Sequence, residues 1–200
     1  MTDLRAAGWL LTIGGLIAIA AACTPPYKQW YAPLPEAMQT IAEHPIAWRV
    51  INGGFLFGTI VAALGFAALT VGVRARSGET FALLGSVAFG VGTLFWVLNL
   101  VYRMSMQSWA AAEFVANGSI PGIFFPQQTQ AAFHFGLFAV FAFGGVALAG
   151  WSVLTNMIAP RWVGLTMLWV GIVGAPIVTF IGPWMLYVPI VILGVALLAA

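Results

Sequence analysis

Charge is what this sequence has least of. Asp, Glu, Lys and Arg make up 6% of its 200 residues, where soluble domains carry about 25%. A chain so poor in charge cannot cover a folded surface with groups that water solvates. Instead 62% of it is hydrophobic, with a mean hydropathy of +1.02. The composition points to lipid as its solvent and to one compact polytopic membrane domain over residues 1–200. The formal net charge of +2 is too small and too dispersed to serve nucleic acid. Cysteine is as scarce. Cys23 stands alone, which excludes an internal disulfide and any multi-cysteine metal or iron–sulfur centre. P-loop, GxSxG, HExxH and CxxC patterns are missing too. All five acids, Asp3, Glu36, Glu43, Glu79 and Glu113, lie outside the apolar runs. Coupled transporters and proton pumps generally need an ionisable relay inside the membrane, and no carboxylate here supplies one.

What the chain does have is long apolar runs. A membrane-spanning helix needs about 20 mostly apolar residues. Six runs qualify, at 6–23, 48–73, 79–102, 131–155, 160–181 and 183–200. The expected fold is therefore an all-α integral membrane bundle of about six helices. The runs are too long for barrel strands and show no period-two alternation. Residues 1–23 resemble a lipoprotein signal, but three alanines before Cys23 match the usual box loosely, so a retained first helix is expected. Pro160 and Pro183 suit first turns, where a missing N–H costs nothing. Pro176 and Pro189 fall inside runs and should kink them.

Arg and Lys set the orientation. With the N-terminus in the cytoplasm, the inner segments hold Arg5, Arg74, Arg76 and Arg161, and the outer ones hold Lys28, Arg49 and Arg103. The inner loops are short and the outer ones long, so positive charge is denser inside. Both termini are expected on the cytoplasmic side. In the first outer loop, Leu34, Met38 and Ile41 share one helical face, with Glu36, Gln39, Thr40 and Glu43 on the others. This reads as a short amphipathic helix in the membrane interface, preceded by the interfacial aromatics Tyr27, Trp30 and Tyr31. In the second, residues 105–118 should continue helically to the stop Asn117–Gly118. The stretch 119–130 then returns the chain to the membrane, its paired phenylalanines dipping into lipid or capping the bundle. Gly58, Gly65 and Gly72 recur every seven residues, as do Gly164 and Gly171. Gly54 and Gly58 form a GxxxG pair. Such stripes let helices approach closely.

One polar layer stands out. The run ending in "WVLNLVYRMSM" carries Asn99 about 6 Å deeper than Arg103, and the run starting "WRVINGG" carries Asn52 about 4.5 Å deeper than Arg49, at 1.5 Å per residue. Gln130 and His134 add a third pair at similar depth. Each feature has a plain structural reading. The arginines can snorkel to headgroups, and the asparagines can lock two helices. Glu43 and Glu113 would then be the charge partners. The functional reading is a ligand site made of Arg49, Asn52, Asn99, Arg103 and His134. Two guanidiniums, two amides and an imidazole suit a carboxylate, a phosphate headgroup or a quinone carbonyl. His44 and His134 together could ligate haem or a metal, and His134 alone the magnesium of a chlorophyll. The sequence singles out no cofactor.

Three functions fit this pattern. The leading one is a non-catalytic binder of an amphipathic lipid, quinone or similar ligand at the outer polar layer. The second is an accessory subunit of a larger membrane assembly, with other subunits as partners besides lipid. The third is an enzyme on a lipid-soluble substrate using Glu43, His44, Glu113 or His134. It requires a carboxylate and a histidine within hydrogen-bond reach.

Overall fold

A computed structural model describes residues 2–25 and 32–200; Tyr27, Lys28, Trp30 and Tyr31 lie outside that range. Among the described residues the chain is all-helical. In order, the elements are α1 (Thr2–Ala22), α2 (Leu34–Glu43), α3 (Pro45–Gly72), α4 (Glu79–Tyr102), a π-helical turn (Arg103–Gln107), α5 (Ser108–Asn117), α6 (Phe124–Asn156), α7 (Arg161–Ile181), a 3-10 turn (Pro183–Leu186) and α8 (Tyr187–Ala199). Five helical stretches are long and apolar enough to cross a membrane: Asp3–Ala22, Pro45–Gly72, Glu79–Asn117, Phe124–Asn156 and Arg161–Ile181. The sixth run forms only the shorter apolar helix Pro183–Ala199. Pro189 sits at the third position of α8 and has no N–H to bond the carbonyl of residue 185. The run therefore opens as a 3-10 turn and becomes α-helical only from Tyr187.

Five long helices and the shorter α8 stand in a ring: α1 packs on α3, α3 on α4, α4 on α6, α6 on α7, α7 on α8, and α8 back on α1. The closest joints are made by small residues. A Cβ on Gly58 of α3 would lie 2.6 Å from the Gly14 carbonyl oxygen of α1, and one on Gly65 would lie 2.9 Å from the Leu11 nitrogen. Gly54 and Gly72 face Ala21 and Leu4 along the same seam. Gly85 and Gly92 of α4 meet Gly145 and Ala142 of α6, while Gly164 and Gly171 of α7 meet α6 at Gly150 and Ala147. Backbones in these seams touch directly, which is how helices gain dispersion energy where lipid removes the hydrophobic force.

Large aromatics fill the centre. Trp96 stacks on Phe138 at 4.4 Å and meets Phe55 edge-on at 5.9 Å, while Phe66 lies 4.5 Å from Phe89. Tyr187 of α8 is fully buried, and its hydroxyl bonds the Thr59 hydroxyl of α3. Two hydroxyls of the interior thereby satisfy each other.

Two elements depart from the sequence reading. The α2 helix forms, but its apolar face, with Met38 and Ile41 fully buried, packs against α5 rather than facing lipid. The fourth run starts earlier than expected, at Phe124 instead of residue 131. Phe124 is buried and Phe125 exposed, and Pro126 falls in the first turn, where no N–H is needed. Polar Gln and Thr are compatible with a helix, so a hydropathy window finds only its membrane-like part. As expected, the helix after Tyr102 stops at Gly118, whose φ of 70° is left-handed.

Candidate functional site

The α2–α5 end of the bundle places the predicted polar layer. Asn99 lies on the inner face of α4, 2% exposed. Its Nδ2 donates to the Ala131 carbonyl of α6 at 2.7 Å, and its Oδ1 accepts from Arg103 Nε at 2.7 Å. One amide thus bolts α4 to α6 and aims the guanidinium. The π-helical turn begins at Arg103. Its widened backbone leaves the Arg103 carbonyl to accept from Trp48 Nε1 of α3 at 3.2 Å and from the Ser108 hydroxyl at 3.3 Å. Turns of this kind recur at functional sites because they redirect side chains within a helix.

Beneath α2 lies a cavity of about 230 Å3. Asn99, Tyr102, Arg103 and Gln107 line it from the α4–π segment, Gln128, Ala131 and Phe135 from α6, and Leu34 and Ala37 from α2. The Tyr102 hydroxyl and the Gln107 side-chain oxygen are buried without a hydrogen-bond partner. Buried polar groups in folded proteins are nearly always paired, and these two, closed off from the cavity space itself, belong to residues of its wall. A second cleft, of about 240 Å3, shares Tyr102 and Ala131 with the first. Leu98, Val101, Met106, Gln127, Gln130 and His134 line it, and Leu98 and Val101 are exposed on the bundle's flank. Tyr102 and Ala131 form the partition between the two spaces.

The five predicted residues therefore separate. Asn99 and Arg103 share the cavity. His134 lines the neighbouring cleft, stacked 6.2 Å from Phe95. Asn52 is fully buried and donates to the Trp48 carbonyl of its own helix at 2.7 Å, its oxygen unpaired, but it lines neither space. Arg49 is exposed and lines neither. Trp48, Tyr102, Gln107 and Gln128 belong to the site or its support and were missed. Glutamine at a predicted loop and aromatics in an aromatic-rich chain carry little signal. Among the described residues, Glu43 and Glu113 do not pair with Arg49 or Arg103. Glu43 accepts from Gln39 at 3.0 Å and Glu113 from Asn117 at 2.7 Å, each on its own helix. His44 caps the junction between α2 and α3, away from His134. Among the described residues no cluster of three or more His, Cys, Asp or Glu side chains could hold a metal.

Comparison with protein-family models, with curated proteins and with solved structures finds no match to this chain.

Proposed function

We propose that this is a multi-pass membrane protein that binds the polar head of an amphipathic lipid, quinone or similar ligand in the cavity beneath α2. The observation that carries this reading is the wall formed by Arg103, Tyr102 and Gln107. The guanidinium is positioned by Asn99, and beside it stand a hydroxyl and an amide oxygen with no partner. A ligand oxygen would accept from Arg103, and small shifts of the Tyr102 and Gln107 side chains, whose polar atoms are closed off in this structure, would bring a hydroxyl donor and an amide acceptor to the same ligand. Charge-assisted bonds from a guanidinium are among the strongest such contacts. The adjoining cleft, open on the apolar flank at Leu98 and Val101, suits the apolar part of the same molecule.

In this reading Pro183–Ala199 is a sixth crossing. Four 3-10 residues at about 2.0 Å and thirteen α residues at about 1.5 Å span about 28 Å, close to the ~30 Å hydrocarbon layer. Both termini lie in the cytoplasm, and the cavity faces the outer leaflet.

The test is native mass spectrometry of the purified protein with the lipids it carries. Wild type should retain a polar amphiphile that Arg103→Gln and Tyr102→Phe both lose, while all three proteins melt at similar temperatures. Equal retention by all three would overturn the cavity reading. A stoichiometric protein partner with no retained amphiphile would favour the accessory subunit instead.

A further inference from the structure

We propose a second binding site at the opposite end of the bundle, for the phosphodiester headgroup of an anionic phospholipid. A cleft of about 190 Å3 opens there where α1 and α8 meet the connections after α3 and α6. Arg5 reaches it from the first turns of α1 and Arg76 from the α3–α4 connection. Leu4, Ile158, Leu197 and Ala200 complete its lining. The two arginines are far apart in sequence, and tertiary packing brings them to one opening. Both are exposed, and among the described residues neither guanidinium has a hydrogen-bond or ion-pair partner. The acids of this end are Asp3 and Glu79, and Glu79 is turned to the Ala75 N–H at 2.7 Å. Arg74 and Arg161 add further positive charge at the same end.

Two guanidiniums over an apolar floor match the two halves of a phospholipid. The phosphate takes the arginine donors in the fork geometry that favours Arg over Lys. The glycerol and upper acyl carbons cover Leu4, Ile158 and Leu197. A free phosphate ion would gain nothing from that floor. Basic clefts between membrane helices recognise anionic headgroups in this way. The site is independent of the cavity beneath α2.

The full chain in detergent is titrated with phosphatidylglycerol, phosphatidylcholine or inorganic phosphate, and bound lipid is counted by native mass spectrometry alongside the melting temperature. Phosphatidylglycerol should bind and raise the melting temperature. Arg5→Gln with Arg76→Gln should weaken its retention on the order of tenfold, with the melting temperature of the lipid-free protein unchanged. Arg161→Gln, a charge change at the same end but outside the cleft, should leave retention intact. Equal binding of phosphatidylcholine would overturn the proposal. So would equal loss in Arg161→Gln, which would mean diffuse attraction, or an Arg5- and Arg76-dependent shift with phosphate alone, which would mean a soluble anion.

Discussion

Asn99 uses both halves of its amide, one to tie α4 to α6 and the other to aim Arg103. Replacing it with leucine keeps the volume and removes both bonds. Interhelical hydrogen bonds in membranes are worth about 0.6 kcal/mol on average and ~1.7 at most. Asn99→Leu should therefore lower stability by about 1 kcal/mol, read from detergent unfolding, and should also abolish retention of the cavity's ligand. Tyr102→Phe separates the two effects. Its hydroxyl has no partner, so removing it deletes an unsatisfied buried group and leaves stability equal or higher, while ligand retention falls. Loss of stability in Tyr102→Phe would show that the hydroxyl is bonded within the fold. At this scale the sequence carried one pair of the cavity's residues, Asn99 and Arg103. The four-residue spacing of Asn99 and Arg103 put both on one face, and their contact follows from it. The partner of Asn99 across the interface is a backbone carbonyl, which no side-chain pattern reveals. Arg49 and Asn52, three residues apart, pair an arginine with an asparagine in the same way, but on a helix whose ring position turns Arg49 outward. Matching depth did not bring Arg49 and Asn52 to the walls of the cavity that holds Asn99 and Arg103.

At the scale of elements, the glycine seams make opposite predictions for glycines that look alike in sequence. Gly58 and Gly65 press on the α1 backbone, whereas Gly53, one residue from Gly54, has nothing within 4 Å of where a Cβ would stand. Gly65→Leu should destabilise the protein by about 1–3 kcal/mol, the usual cost of overpacking. Gly53→Ala should stabilise it by roughly 0.5–1 kcal/mol, because a helical glycine loses more backbone entropy than alanine. Melting both variants in one detergent checks the pair, and a neutral Gly65→Leu would mean that the seam is loose. The seven-residue repeat of Gly58, Gly65 and Gly72 was readable, but not its partner. A short connection ties α3 to α4, yet the tight glycine seam of α3 is with α1. The face of α2 was also readable, while its burial against α5 was not. An apolar stripe looks the same whether lipid or another helix covers it.

At the scale of the whole molecule, the arrangement of lengths supports a direction across the membrane. Glu79–Asn117 is a continuous helical stretch of 39 residues, about 58 Å at 1.5 Å per residue. The hydrocarbon layer is ~30 Å thick, so nearly half of this helix must stand outside it. The surplus includes the π turn and α5, on which α2 packs. The opposite end has short connections and carries Arg5, Arg74, Arg76 and Arg161. Arginine is retained on the cytoplasmic side when it flanks short loops, so the α2–α5 cap is expected outside. Cys23 is exposed and must first be replaced by serine. Single cysteines are then introduced at Glu36, Glu113 and Arg76. An impermeant maleimide added to intact cells should label positions 36 and 113, more slowly at the half-buried 113, and should label 76 only after the membrane is opened. Labelling of position 76 in intact cells, with 36 and 113 protected, would invert the molecule. The cavity beneath α2 would then draw its ligand from the cytoplasmic leaflet, and the Arg5–Arg76 cleft would face the leaflet where anionic lipid is scarce.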